Sequence, residues 1–427
     1  MRRAVVAGLL GLGLAGCAKS AERPAPIYIS VGADAAAAVR VLAAGQGTYG
    51  ELVASSPDVA VLEVDADELE AISQLMHEQF DRCGGFIVHD SMADARTALQ
   101  PPVVTTHVDY SIDHAPVVNA VLPALDRSAI KDTIAALSSM PNRYYRSDTG
   151  AAASTWLRDL WRSYSTRTDV TIELFDQGYP QQSVIMTIPG TTRADEVVVI
   201  GGHLDSISMR GGKNGNAPGA DDDASGIATL SEVARVLLAK NYRPARTIKF
   251  IAYAAEEIGL RGSQAVVKEL KRRGIHVVGA LQLDMTNYQG SDKDIWLMKD
   301  FTNADQNAFV AKLIDTYVGA TWGLDACGYG CSDHASWYRA GVPASMPFES
   351  RMRDHNKSIH TSKDTLELSN NNADHALKFA KLGAAYAIEM AKGELGPPPS
   401  DHGTARWQWI ALLGGAVLAA GALLRRK

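Results

Sequence analysis

Three apolar runs, one continuous and two with a single polar residue each, constrain the fold of this chain more than any other feature. They are residues 197–201, 248–253 and 277–283. Strands that are buried on both faces of a mainly parallel sheet have this continuous pattern. Amphipathic segments that predict helices separate or follow them, at residues 224–240, 260–273 and 373–392. This alternation predicts an α/β domain over residues 117–393, a doubly wound, mixed but mainly parallel sheet flanked by helices.

Residues 24–100 predict a separate, small α+β unit. Residues 27–31 and 59–64 have strand patterns, and residues 65–80 have the apolar spacing of an amphipathic helix. Because 427 residues are many for a single hydrophobic core, a second core is expected.

The N-terminus predicts export. Arg2 and Arg3 precede an apolar stretch over residues 4–14, and residues 1–17 together have the form of a signal peptide. Its last residues, LAGC, resemble a bacterial lipobox, which favours a lipid on Cys17 over ordinary cleavage nearby. We therefore expect a periplasmic or envelope-associated protein, with extracellular release after processing as the alternative.

The C-terminus predicts a second attachment to the membrane. A linker rich in glycine and proline, residues 396–406, precedes an apolar run at residues 407–424 with basic residues on both sides. The run is at the lower end of the length that spans a bilayer. The alternative is a sorting tail that is later removed. Membrane contact is thus expected through the Cys17 lipid, this segment, or both.

The three remaining cysteines predict one disulfide and one unpaired thiol. Cys327 and Cys331 predict a small-loop disulfide in an oxidising compartment, since two zinc-binding thiolates would need another pair at suitable spacing. Cys83 is left without a partner.

Acidic residues outnumber basic ones, 48 to 42, and the absence of a long basic run argues against a nucleic-acid partner.

Metal-binding residue types follow all three apolar runs, where ligands bind in open α/β sheets. The strand ends offer His203, Asp205, Glu256, Glu257 and Asp284, and loops add Asp221, Asp222, Asp223 and His360. Each motif alone is weak evidence, because such residues are usually surface charges or helix caps. So many carboxylates at one sheet edge would repel one another, and divalent cations remove that conflict.

Two histidines and three carboxylates suit zinc, although cobalt or manganese accept similar ligands. Five groups complete two three-ligand sites only if one carboxylate bridges, and Asp222 in the middle of its triplet is the best candidate for that role. Asp205, two residues after His203, can accept a hydrogen bond from the other ring nitrogen of that histidine and so fix its tautomer.

Several motifs resemble those of the co-catalytic dizinc aminopeptidases of metallopeptidase clan MH, in particular the secreted bacterial leucyl aminopeptidases. They are HLDS at 203–206, APGADDDASG at 217–226, AAEEIGLRGS at 254–263, QLDMTNY at 282–288, CGYGC at 327–331, SDHAS at 332–336 and IHT at 359–361. The resemblance extends from about residue 117 to residue 393 and follows the family's motif order.

The resemblance implies two Zn²⁺ ions per chain and a role for each residue that matches a catalytic or metal-binding position of the family. One zinc ion is expected on His203 and Glu257 and the other on Asp284 and His360, with Asp222 between them and a cis peptide after it. Glu256 is expected to act as the general base toward a water shared by the two metals. Tyr329 is expected to donate a hydrogen bond to the oxyanion that forms.

The same resemblance implies the substrate and the role of the N-terminal unit. An apolar pocket is expected from Met285, Met298, Phe348, Met352 and Ile359, with plain core packing as the alternative. Such a pocket would accept leucine-like residues at the free N-terminus of a peptide, and the catalytic domain is expected to be monomeric. Residues 24–100 resemble a prosegment that assists folding or covers the active site until it is cleaved; a permanent accessory domain is the alternative.

Two rival functions use the same scaffold. A carboxypeptidase or an aminoacylase-type hydrolase would share fold and metals, but the first would call for a dedicated arginine that no matching position supplies. A surface-anchored binding domain without catalysis would have no need of Glu256 or of a complete ligand set, and the chain has both.

Overall fold

The computed structural model describes residues 26–48, 50–100, 102–104 and 108–397. The predicted signal peptide with Cys17, the apolar segment 407–424 and most of the predicted linker 396–406 lie outside the described residues. Within those ranges, no helix has both the length and the apolar character needed to cross a membrane.

The N-terminal unit has a sheet and a core of its own. Its elements are β1 (Ile27–Gly32), α1 (Ala36–Gln46), β2 (Gly50–Ser55), β3 (Val59–Val64), α2 (Leu69–Phe80), β4 (Phe86–His89) and α3 (Met92–Thr97). The four strands form an antiparallel sheet in the order β2-β3-β1-β4. Ile29 and Leu62 of the sheet pack with Ile72 and Met76 of α2. This is the small α+β unit that the sequence predicts.

The rest of the chain is built around a six-stranded mixed sheet. Its strands, with the short strands of two smaller sheets, are β5 (Thr171–Phe175), β6 (Ser183–Ile188), β7 (Arg193–His203), β8 (Tyr242–Arg243), β9 (Arg246–Tyr253), β10 (His276–Gln282), β11 (Ile295–Met298), β12 (Trp322–Asp325), β13 (Ala344–Ser345), β14 (Pro347–Phe348) and β15 (Glu394–Leu395). The central order is β13-β10-β7-β9-β6-β5, in which the first four strands pair in parallel and β6 pairs antiparallel with both β9 and β5. The smaller sheets are β12-β11-β14 and β15-β8.

Helices cover both faces of the central sheet, which confirms the doubly wound α/β class. They are α4 (Ala115–Val121), α5 (Arg127–Ser138), α6 (Asp148–Ser163), α7 (Ala224–Ala239), α8 (Arg261–Arg272), α9 (Ala304–Leu313), α10 (His334–Arg339) and α11 (Asp374–Ala391). In β7, Val198 and Ile200 join the core under α7 and α11, whereas Val197 and Val199 join the core under α8 and α10. Because alternate side chains enter two different cores, the run has no polar face.

The carboxyl edge of the sheet gathers the predicted site. β7 ends at His203 and lies between β9, which leads to Glu257, and β10, which leads to Asp284. The acidic triplet comes to the same edge because α7 begins directly after it. The Asp223 side chain caps that helix by accepting a hydrogen bond from the Gly226 N–H at 2.8 Å.

The N-terminal unit packs on this same edge. The Val88 N–H donates to the Gly259 carbonyl at 3.2 Å, and the Ser73 hydroxyl donates to the Glu257 carbonyl at 3.3 Å. Ile87 packs with Leu260 in a small apolar cluster. The segment between α2 and β4 therefore lies directly over the ends of the central strands.

Candidate metal centre

The five predicted metal ligands converge at the carboxyl edge, and all five are buried. His203 Nε2 lies 2.9 Å from Asp222 Oδ1 and 3.5 Å from Asp284 Oδ1. His360 Nε2 lies 2.8 Å from Glu257 Oε2 and 3.1 Å from Asp222 Oδ2. The structure thus forms two adjacent groups that share the Asp222 carboxylate.

The composition of these two groups differs from the pairing that the resemblance implied. His203 was expected beside Glu257, but the structure groups His203 with Asp284, and Glu257 with His360. Strand order could not decide between them, because β7 has both β9 and β10 as neighbours. The loop after β9, which turns at Ala255 with φ +57°, sets where Glu257 lies.

Two adjacent aspartates at the centre have different surroundings. Asp222 directs one carboxylate oxygen to each histidine, and its Oδ1 has no hydrogen-bond partner. Asp223 Oδ1 accepts from the Gly226 and Met285 N–H groups, and its Oδ2 accepts from the His203 N–H at 3.0 Å. Both carboxylate oxygens of Asp223 therefore accept hydrogen bonds from the backbone, whereas the Asp222 carboxylate is available to bridge two metal ions. The peptide bond between them is cis, as the resemblance implied.

The donor atoms fit zinc. His203 Nε2, Asp222 Oδ1 and Glu257 Oε1 are buried without a hydrogen-bond partner, although the first two are only 2.9 Å apart. Buried polar atoms almost always have a partner, so three such atoms in one place indicate that something else satisfies them. Imidazole nitrogens and carboxylate oxygens at this spacing are typical zinc ligands.

The electrostatics of the centre favour a bound cation. Burial raises the pKa of Glu257 to about 7. Burial also works to lower the pKa of His360, but the carboxylates of Glu257 and Asp222 outweigh it and raise this pKa to about 10. Burial opposes ionisation of Asp222 as well, yet the two histidines beside it bring its pKa well below its usual value. The carboxyl and imidazole groups of the centre therefore hold protons that a bound cation would displace.

Asp205 supports the centre in a way that the sequence did not predict. His203 Nδ1 lies 3.1 Å from the main-chain oxygen of Asp205 and 3.5 Å from its carboxylate, so the carbonyl is the nearer acceptor. The carboxylate also accepts from the N–H groups of Glu256 and Glu257, at 3.0 and 3.2 Å. The Asp205 side chain therefore lies beside the His203 ring, as expected, and in addition positions the two glutamates.

Asp364 is a further supporting residue that sequence reasoning missed. Its carboxylate accepts hydrogen bonds from the N–H groups of Asp221 and Asp222, at 3.1 to 3.3 Å. It therefore fixes the backbone of the acidic triplet. No local pattern distinguishes it from any other loop aspartate.

Glu256 lies beside the centre with a free oxygen. Its side chain is 2% exposed, and Oε2 has no hydrogen-bond partner. Burial raises its pKa well above the usual value, an effect that His203 opposes and Glu257 reinforces. The geometry thus leaves one buried carboxylate oxygen unengaged at the centre.

Tyr329 and the predicted pocket residues lie in one apolar cluster. The cluster contains Met285, Trp296, Met298, Tyr329, Cys331, Met346, Phe348 and Ile359, with Cys83, Cys327 and Met352 at its margin. All five predicted pocket side chains therefore lie in, or pack against, the cluster that contains Tyr329. The predicted disulfide between Cys327 and Cys331 is present, with an S–S distance of 2.03 Å.

The N-terminal unit contributes side chains to the centre that sequence reasoning did not place there. Cys83 Sγ lies 3.1 Å from His360 Nε2, and the His77 ring lies 5.0 Å from the His360 ring. Burial, reinforced by His360, lowers the pKa of His77 to about 4. The sequence signal for Cys83 was that it remained unpaired after the other cysteines were assigned.

Comparison with known proteins shows extensive similarity. The model of "Peptidase family M28" matches residues 183–384. Leucine aminopeptidase 1 of Arthroderma otae is 37% identical over 322 residues, which are 72% of this chain and 85% of that relative.

Solved structures from Legionella pneumophila are similar over an even larger share. The LapA aminopeptidase has a TM-score of 0.75 and 34% identity, covering 87% of this chain and 100% of its own. LapB has a TM-score of 0.73 and 30% identity, covering 86% and 99%. Residues 108–397 alone are too few to make up 86% or 87% of this chain, so both matches include part of the N-terminal unit.

Proposed function

Because this chain belongs to peptidase family M28 and is a zinc-dependent aminopeptidase, we propose that it removes leucine-like residues from the N-terminus of peptides, using two Zn²⁺ ions and Glu256 as the general base. One observation carries the two-metal proposal. The two oxygens of Asp222 face different histidines, and each histidine has a further carboxylate beside it.

Each metal ion would have three protein ligands. His203, Asp284 and one oxygen of Asp222 would hold the first, and Glu257, His360 and the other oxygen would hold the second. When bound, the two ions would lower the pKa of a water molecule and polarise the scissile carbonyl. Three ligands per zinc leave coordination positions open, as catalytic sites require.

Glu256 would transfer the protons. It would accept one from the attacking water and return it to the leaving amine. Three features support this role: its backbone is held by Asp205, its Oε2 is unengaged, and burial raises its pKa well above the usual value, as is common for catalytic carboxyl groups.

Tyr329 would donate its hydroxyl hydrogen to the developing oxyanion, and its substitution tests this. In the active enzyme, we expect Tyr329→Phe to lower kcat by about 10²-fold with little change in KM, since the donor acts mainly in the transition state. Steady-state kinetics on a leucyl anilide measure it. Tyr338→Phe is the control, because that ring packs on Phe301 away from the centre. An unchanged kcat for Tyr329→Phe would remove the residue from the mechanism.

The proposed substrate preference follows from the apolar cluster beside Tyr329. A charged side chain placed among Met285, Met298 and Phe348 would lose its hydration without gaining a counter-ion. We expect kcat/KM for a leucyl anilide to exceed that for lysyl and glutamyl anilides by at least about 10²-fold. Parallel assays on one zinc-loaded preparation check this. Rapid release of a charged residue would contradict an apolar pocket.

The cellular context is proposed from the terminal sequences. We propose export to the periplasm or envelope, with attachment through the Cys17 lipid, the segment at residues 407–424, or both. The partners are peptides with a free N-terminus. Residues 24–100 are proposed to be a prosegment of the catalytic domain at residues 117–393, a role supported by the contacts of Ser73 and Val88 at the sheet edge.

A further inference from the structure

A tight loop between α2 and β4, residues 81–85, carries Cys83 into the metal centre. Asp81, Gly84 and Gly85 all have positive φ, at +56°, +55° and +79°. Glycine adopts this conformation without the steric cost that other residues have, so the two glycines allow the chain to reverse directly after the cysteine. Cys83 therefore lies at the tip of a defined turn.

The thiol contacts one half of the centre. Cys83 Sγ lies 3.1 Å from His360 Nε2, 3.5 Å from Glu257 Oε2 and 3.7 Å from Asp222 Oδ2. One ligand atom from each of these four residues lies within 4.8 Å of all the others. A sulfur, an imidazole nitrogen and two carboxylate oxygens complete the four-ligand set that zinc prefers in closed sites.

The surrounding residues hold the loop in place independently of the sulfur. The Cys83 N–H donates to the Tyr329 hydroxyl at 2.9 Å, and the Arg82 guanidinium lies 5.3 Å from the centre of the Tyr329 ring. Arg82 also pairs with Asp34 at 2.7 Å, and Asp81 pairs with Lys357. Contacts to the N-terminal unit and to the catalytic domain therefore fix the position of the thiol.

A neutral thiol in this position would leave the centre unsatisfied. It offers a single weak donor, whereas Glu257 Oε1, on this half of the centre, is buried without a partner. A cation among the four residues would interact with all of them together. The unpartnered Glu257 oxygen is thus a second observation, separate from the position of the sulfur, that points to a metal here.

We propose that the Cys83 thiolate is a ligand of the zinc ion held by Asp222, Glu257 and His360, and that it keeps the uncleaved chain inactive. This rests on the two-zinc function proposed above. The sulfur occupies a coordination position that catalysis needs open, and the same loop engages the Tyr329 hydroxyl. When the metal binds, the thiol proton goes to solvent, and no electron transfer is involved. Removal of the N-terminal unit removes the sulfur and opens the site.

Cobalt substitution of the full, uncleaved chain tests the ligand directly. We expect the Co²⁺-loaded protein to show a near-ultraviolet sulfur-to-cobalt charge-transfer band that is absent in Cys83→Ser. Ser73→Ala is the matched control, because it removes a contact of the same unit to the Glu257 carbonyl but keeps the sulfur. The band should persist in it. A wild-type chain that binds cobalt without this band would overturn the proposal.

The reactivity of the Cys83 thiol supplies a second test, which is measured on the wild-type protein. In the zinc-loaded wild type, the Cys83 thiol should react slowly with a disulfide reagent, and a chelator should accelerate the reaction at least about tenfold, the lower range for loss of a metal-site interaction. Subtracting the Cys83→Ser trace removes any signal from Cys17. Equal rates with and without chelator would contradict ligation.

Activity separates this inference from the function on which it rests. Zinc-loaded, uncleaved Cys83→Ser should hydrolyse a leucyl anilide at least about tenfold faster than uncleaved wild type, because a ligand that blocks the site is gone. If the cleaved enzyme is active but the sulfur band is missing, the inference fails and the proposed function stands. If the chain takes up no metal and the cleaved form is inactive, both fail.

Discussion

Replacing Glu256 by glutamine is expected to lower kcat by about 10²–10⁴-fold, the usual contribution of a general acid–base group, while the zinc content stays unchanged. The amide has nearly the shape of the carboxylate but cannot accept the proton of the attacking water. Since Asp205 holds the Glu256 N–H and not its side chain, the local backbone should be retained. Metal analysis and steady-state kinetics on a leucyl anilide, with the same cleaved preparation, measure both quantities.

Glu173→Gln on β5 is the matched control for that substitution, because this exposed residue lies on the strand at the far edge of the sheet from β10. It should leave kcat and zinc content as in the wild type. Loss of zinc from Glu256→Gln would identify Glu256 as a ligand instead of a base. Retention of full kcat would require another proton acceptor.

The fold could be predicted because its signals are local. The three central strands β7, β9 and β10 are each visible in the sequence as an apolar run, and the two cores that β7 separates explain why its run is continuous. Boundaries were less accurate: the predicted helix at residues 65–80 is α-helical from Leu69, because Ala66–Glu68 forms a 3₁₀ turn before it. Such end effects depend on tertiary contacts more than on periodicity.

The residues of the site were predictable, but their arrangement was only partly so. Strand ends and motifs identified the five ligand candidates, because carboxyl ends of parallel strands share one edge. The grouping of Glu257 with His360 depends on the conformation of two loops, which no periodic pattern encodes. For the same reason the Asp205 carboxylate proved to hold the backbone of two glutamates.

Cys83 illustrates what a sequence alone could not provide. It lies 277 residues from His360 in the chain, so only the packing of two separate units brings the sulfur to that imidazole. An unpaired cysteine indicates a free thiol but does not say where the thiol lies. The position of the N-terminal unit on the sheet edge was the missing information.

The acidic triplet shows how three identical neighbours acquire different roles. Asp221 accepts from the Asn287 N–H and the Asn356 amide, and Asp223 accepts from three backbone N–H groups. Both are therefore satisfied by the protein. Asp222 alone of the three faces both histidines and keeps an oxygen without a partner. A substitution series across the triplet should separate these roles sharply.

Asp222→Asn is accordingly expected to reduce bound zinc from two ions to one or none and to lower kcat by more than about 10³-fold. A neutral amide has one good acceptor oxygen and cannot bridge two cations. Metal ions contribute several kcal/mol to catalysis, and each 1.36 kcal/mol is tenfold in rate, so their loss produces an effect of roughly this size. Zinc analysis after gel filtration, with activity measured at limiting and excess zinc, provides the result.

Asp223→Asn is the decisive comparison, because Asp223 also lies within ligand distance of His203 and Asp284. If Asp223 only caps α7 and holds backbone N–H groups, its asparagine variant should keep both zinc ions. Its free energy of unfolding should fall by about 1–3 kcal/mol, because the amide has a single acceptor oxygen and leaves a buried N–H group without a partner. Denaturant unfolding of the zinc-loaded proteins measures this. The opposite pattern, with zinc lost from Asp223→Asn and kept by Asp222→Asn, would move the site to the His203, Asp223 and Asp284 group and remove the basis for a bridged pair.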